Sequence, residues 1–164
     1  MRPLLSASLV IVLGWGLSGC GLLPGSAPQR DETGEISVAD DDADVFEVTV
    51  GDCLSVAYDE AGAVSTVPVV PCDQPHQDEV FYAFDLLHEE FPGDAAIEAE
   101  FNEVCLAEFE RFIGIPEPDS QYGWWAFYPN EESWNELGDR EVLCVVSSPS
   151  ADELITGTLA GIAQ

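Results

Sequence analysis

Lysine is absent from this chain, and only four arginines stand against 32 acidic residues, for a formal net charge of −28. Nucleic-acid binding needs Lys and Arg to neutralise phosphates, so no nucleic-acid partner is expected. Anionic headgroups repel the same charge within a Debye length, so the domain should stand off a membrane surface. Solubility and adaptation to high salt both account for such a charge. Catalytic signatures are missing as well: there is no Gly-x-Ser-x-Gly elbow, H-E-x-x-H pair, phosphate loop or C-x-x-C spacing. With two histidines, His76 and His88, and no ligand spacing around them, no metal and no cofactor are expected.

A long apolar run is also lacking. A transmembrane helix needs about 20 apolar residues. The run from Leu4 to Leu17 is shorter, contains Gly14 and Gly16, and follows the charged Arg2. It ends in Ser18-Gly19-Cys20, the layout of a secretory signal. Leu17-Ser18-Gly19-Cys20 resembles the bacterial lipobox. The resemblance implies a signal peptide over 1–19, a diacylglyceryl group on the Cys20 sulfur, and export by the general route. Two acyl chains on one residue give stable membrane anchoring. The expected address is extracytoplasmic, on the outer face of the plasma membrane.

Five cysteines are present: Cys20, Cys53, Cys72, Cys105 and Cys144. Setting Cys20 aside leaves four, which in an oxidising compartment suggests two disulfides with three possible connectivities.

Residues 20–44 are rich in Pro, Gly, Ser and acids without apolar periodicity, and are expected to form a lipidated, disordered acidic tether. Its reach is on the order of 25–30 Å. Asp40, Asp42 and Asp44 imitate a calcium loop, but its sixth and twelfth positions would be Val45 and Gly51 instead of Gly and Glu.

Residues 45–164 amount to one domain. Alternation predicts strands over 45–50, 79–84, 124–128 and 141–146. Residues 66–70 read as extended, and Pro68 and Pro71 favour a sheet edge. The clearest element is a helix over about 94–113. Asp94 suits its N-cap, Ile97, Phe101, Cys105, Phe109 and Phe112 share one face, and Gly114 then Pro116 end it. The tail from 155 reads as a last short strand or irregular chain. The fold class expected is α+β: a small, mostly antiparallel sheet packed on one long helix and stapled by two disulfides. Cys105 on the helix should meet Cys144 on the strand beneath it, which leaves Cys53 for Cys72.

Two stretches are candidate sites. Residues 70–80, VPCDQPHQDEV, crowd a cysteine, a histidine and acids together. A bridged Cys72 is neither nucleophile nor ligand. His76, in a turn, either locks that turn through a hydrogen bond or serves as a metal ligand or general base. Residues 121–140 hold Tyr122, Trp124, Trp125, Phe127, Tyr128 and Trp134. Alternation sends Trp124 and Tyr128 one way and Trp125 and Phe127 the other, so one set fills the core and the other can form a binding patch for sugar rings or a protein. Arg140 either pairs locally with Asp139 or holds an internal carboxylate.

VGDCL (50–54), VPCDQPHQDEV (70–80), Cys105 on a helix ending F-I-G, Pro129-x4-Trp134-x3-Gly138-Asp139-Arg140, Cys144 and TGTL (156–159) occur in this order. Together they resemble the septum formation domain family of actinobacterial exported and membrane proteins, over about residues 45–160. The resemblance implies an envelope location and a link to cell division, and no catalytic residues. The Trp134–Gly138 spacing is longer than the family pattern, which points to a local insertion. The reading that results is a non-enzymatic binding or scaffold module of the envelope. Its possible contacts are Trp124, Trp125, Tyr128, Trp134, His76 and Arg140, toward envelope or division proteins or cell-wall glycan. The competing readings are an envelope hydrolase or metal-dependent enzyme using His76, and a passive acidic coat.

Overall fold

Buried apolar side chains hold the strands together in one curled sheet. The computed structural model describes residues 27–55, 64–150 and 152–164. The strands are β1 (Asp40–Asp44), β2 (Cys53–Leu54), β3 (Thr66–Val70), β4 (Asp78–Asp85), β5 (Gly123–Phe127) and β6 (Glu141–Ser147). They lie in the order β1-β3-β2-β4-β6-β5, with every pairing antiparallel. The sheet curls into a half-barrel, and one long helix, α1 (Asp94–Ile113), packs on it. The architecture is therefore the α+β one expected from the sequence, with a more strongly curved sheet.

β6 explains why there are two cores. Its sequence is apolar almost throughout, and a strand apolar on both faces must be covered on both. Val142, Cys144 and Val146 face α1 together with Ile97, Cys105, Phe109 and Ile113. Leu143 and Val145 face the other side, where Ala43, Leu54, Val67, Val69 and Val80 pack. Ile97, Phe109 and Ile113 are completely buried, and each contributes about 1.5–3 kcal/mol by removal from water.

α1 has the expected limits, with one difference at its start. Its N-cap is Gly93, at φ 91°, and Asp94 is the first helical residue, without a capping bond. Asp94 contributes only its charge to the first turn. Gly114 closes the helix in the left-handed conformation at φ 98°, which L side chains rarely adopt.

The N-terminal part departs most from expectation. Residues 45–50 are not a strand: Val45–Glu47 form a 3₁₀ turn capped by Asp44, and Phe46 and Val50 lie half exposed. The strand lies just before it, in the acidic run read as tether. Ala43 is fully buried opposite Val67, and the acids around it stay wet or half-buried. β3 is consequently flanked by β1 and β2 and is not an edge. Pro68 is tolerated there because β1 bulges opposite it, between Asp40 and Ala43, and because β2 ends at Leu54. Order extends further back still, to buried Ile36 and an Arg30–Ile36 bridge. The domain thus begins before residue 45, and only residues 20–26 of the expected tether, like the signal segment and Cys20, lie outside the described residues.

Both expected disulfides are present. Cys53 joins Cys72, with Cα atoms 5.2 Å apart, and Cys105 joins Cys144 at 5.6 Å. The first ties β2 to the chain after β3; the second pins α1 to β6. The C-terminal tail is irregular apart from a bridge between Ile155 and His76.

Candidate functional site

The 70–80 stretch forms a set of buried clamps. Leu54 pairs with Asp78 and Cys53 with Glu79, so β2 brings Asp52 beside the start of β4. Asp52, Asp78 and Glu79 are each 3 % exposed or less. Buried carboxylates need partners, and each of these holds a segment distant in sequence. Asp52 accepts two bonds from the Arg30 guanidinium, at 2.6 and 2.7 Å, and one from the Thr49 N–H. Asp78 accepts from Trp125 Nε1 of β5 and from the Ser147 hydroxyl of β6. Glu79 accepts from the Thr158 hydroxyl at 2.6 Å and the Leu159 N–H at 2.8 Å. Burial pushes the Asp78 and Glu79 carboxyls above their ordinary values, against the opposing pull of these hydrogen bonds and of His76.

His76 lies among these groups with its side chain fully buried. Such burial removes His76 from the possible surface contacts. Its backbone pairs in both directions with Ile155, and its Nδ1 lies 2.8 Å from the Gln74 carbonyl. A carbonyl only accepts, so Nδ1 is the donor of this bond. Nε2 has no hydrogen-bond partner among the described residues. The ring fastens its own turn through Nδ1, and the backbone fastens the tail.

The aromatic stretch divides as its alternation predicts, with less surface than expected. Trp124 packs toward α1, edge-on to Phe101, with ring centroids 6.3 Å apart. Trp125 and Phe127 pack against each other over the opposite core. Tyr128 stacks on Phe101 at 5.0 Å and stays 39 % exposed. Trp134 is 2 % exposed and so cannot be a contact residue. Phe91 meets its edge, and the Arg140 guanidinium lies 3.6 Å over its ring. Arg140 also donates to the carbonyls of Trp134 and Asp139. It therefore holds a loop through backbone oxygens. The arginine that does hold an internal carboxylate is Arg30, which the sequence placed in the tether. Its one available signal was the scarcity of cations in so acidic a chain.

Residues Ser133–Leu137 form a π-helical turn closed by Gly138 at φ 71°. A π turn holds one more residue than an α turn between bonded groups, the form a short insertion between Trp134 and Gly138 would take.

These features define a disulfide-stapled α+β domain whose motif residues tie remote segments together. The chain belongs to the family described as Septum formation, whose model matches residues 18–144. It is also similar to an uncharacterized membrane protein of Mycobacterium tuberculosis strain H37Rv and to another of strain CDC 1551 / Oshkosh. Each match is 28 % identical over 114 residues, or 62 % of this chain. The chain spans 24 % of the length of these relatives. No solved structure matches it. Among the described residues no helix is long and apolar enough to cross a membrane.

Proposed function

We propose that this chain is a non-enzymatic binding or scaffold module of the cell envelope that acts at the division septum. A lipid on Cys20 holds it to the outer face of the plasma membrane. The family membership, the membrane-protein relatives and the lipobox-like start support the address. The observation that carries the binding role is the state of the groups best suited to chemistry. Asp52, Asp78 and Glu79 are buried and bonded to other segments, and His76 is shut away from solvent. Chemistry at His76 would need a substrate to reach a ring with no exposed surface.

An export-competent fluorescent fusion in dividing cells tests the address, with Cys20→Ala as control. The expected result is a septal band that is released from the membrane by the control substitution. An even peripheral signal would contradict the septal role. Hydrolysis of wall fragments by the purified chain, lost in a folded His76→Gln variant, would overturn the non-enzymatic reading.

A further inference from the structure

The end of the sheet opposite the clamps carries a different kind of surface. β4 runs from Asp78 to Asp85, so at about 3.3 Å per residue its far end lies about 23 Å from the clamps. Here the β4–α1 loop and the β5–β6 loop meet. Leu86 N–H donates to the Arg140 carbonyl, and Phe91 packs on Trp134. The two loops therefore form a single ordered frame. On that frame Leu87 is 91 % exposed and Leu137 66 %, and Tyr128 follows β5 at the same end. Single exposed leucines are common; here two of them and Tyr128 are carried on loops at the same end of the sheet, where an interaction site could form.

The charge around them gives the partner its sign. Residues 85–98 and 128–141 contain ten acids and one arginine, Arg140. That arginine is committed to Trp134 and two carbonyls. Asp85 and Asp139, after burial, help push the Glu141 carboxyl above its ordinary value, and Glu98 and Asp94 do the same to the Tyr128 hydroxyl. Some of these acids are thus close enough to act on one another and on the Tyr128 hydroxyl. We infer that this pole docks a protein partner presenting an apolar pocket rimmed by lysine and arginine. Leu87, Leu137 and Tyr128 fill the pocket, and the surrounding carboxylates meet the rim. Anchors at the centre give affinity, while rim charges set encounter rate and partner choice. A second copy of this chain and an anionic lipid surface both carry the wrong sign for this pole.

This rests on the binding-module reading and names its surface. The probe is a fluorescein-labelled amphipathic peptide built only of leucine and lysine, titrated by anisotropy against the purified, oxidised chain at about 0.15 M salt. Polylysine serves as a charge-only control. The Leu/Lys peptide should bind at least about tenfold tighter than polylysine, and Leu87→Ser/Leu137→Ser should remove that advantage. Phe46→Ser/Val50→Ser, exposed apolar residues away from the pole, should leave it intact. Equal binding of the two peptides, insensitivity to Leu87→Ser/Leu137→Ser, self-association through these leucines, or binding to anionic vesicles would each overturn the proposal. Failure of the binding-module reading is separate: wall hydrolysis would appear, or the fusion would be absent from the envelope, whatever the peptide does.

Discussion

The two ends of the sheet use their carboxylates in opposite ways. At one end Asp52, Asp78 and Glu79 are out of water, and each is bonded to a segment tens of residues away. At the other end the acids are mostly exposed, on the same segments that carry the exposed Leu87, Leu137 and Tyr128. The same residue types thus close the fold at one end and offer a charged rim at the other. What separates them is burial and the supply of donors. The clamp end draws in Arg30, Trp125, Ser147, Thr158 and the Leu159 N–H. At the pole, the one arginine is taken by Trp134 and carbonyl oxygens.

Substitutions at the clamp end should therefore cost stability. The largest effect is expected from Cys53→Ser/Cys72→Ser, which opens the disulfide beside Asp52. The loss should be about 3 kcal/mol in urea unfolding. Arg30→Ala should come next. It leaves the Asp52 carboxylate buried without its cation, at a cost of about 2 kcal/mol given the partial exposure of the arginine. Asp52→Asn added to Arg30→Ala should restore part of that loss, because the charge left behind is then gone.

The pH response sharpens the contrast further. The folded-state values of Asp78 and Glu79 lie above their ordinary values because of burial. On acidification the native state therefore takes up protons before the unfolded chain does. Stability from these two groups should rise as pH falls from neutral through their folded values toward the ordinary carboxylate range. It should decline again as pH returns upward. Asp78→Asn/Glu79→Gln should flatten this slope, read as the urea midpoint against pH. A slope unchanged by that substitution would assign the response to the general acidity of the surface. The smallest effect belongs to the pole, where Leu87→Ser/Leu137→Ser should change unfolding free energy by less than about 0.5 kcal/mol.

Features set by local pattern are legible in the amino-acid sequence alone. α1 follows from its apolar face and Gly114, β4 and β6 from their alternation. The helix–strand geometry then leads to Cys105–Cys144, and with it Cys53–Cys72. β1 is hidden because four of its five residues are aspartates, and its place depends on one buried side chain, Ala43, meeting β3. Arg30 resembles part of a tether because its partner lies 22 residues on. The burial of His76 cannot be read locally either, since the segment that pairs with its backbone, at Ile155, is remote in sequence. Trp134 resembles a contact residue because Phe91 is remote in sequence and Arg140 reaches its ring only through the turn between them. In each case the deciding partner is remote in sequence or set by a turn, and composition points the wrong way.

The most direct test places one double variant at each end in a single titration. Binding of the leucine–lysine peptide is compared between Asp78→Asn/Glu79→Gln and Leu87→Ser/Leu137→Ser, at a pH where both are folded. The division of roles described here predicts wild-type affinity for the first and at least about tenfold weaker binding for the second. Weakened binding in the clamp variant with full binding in the pole variant would contradict it.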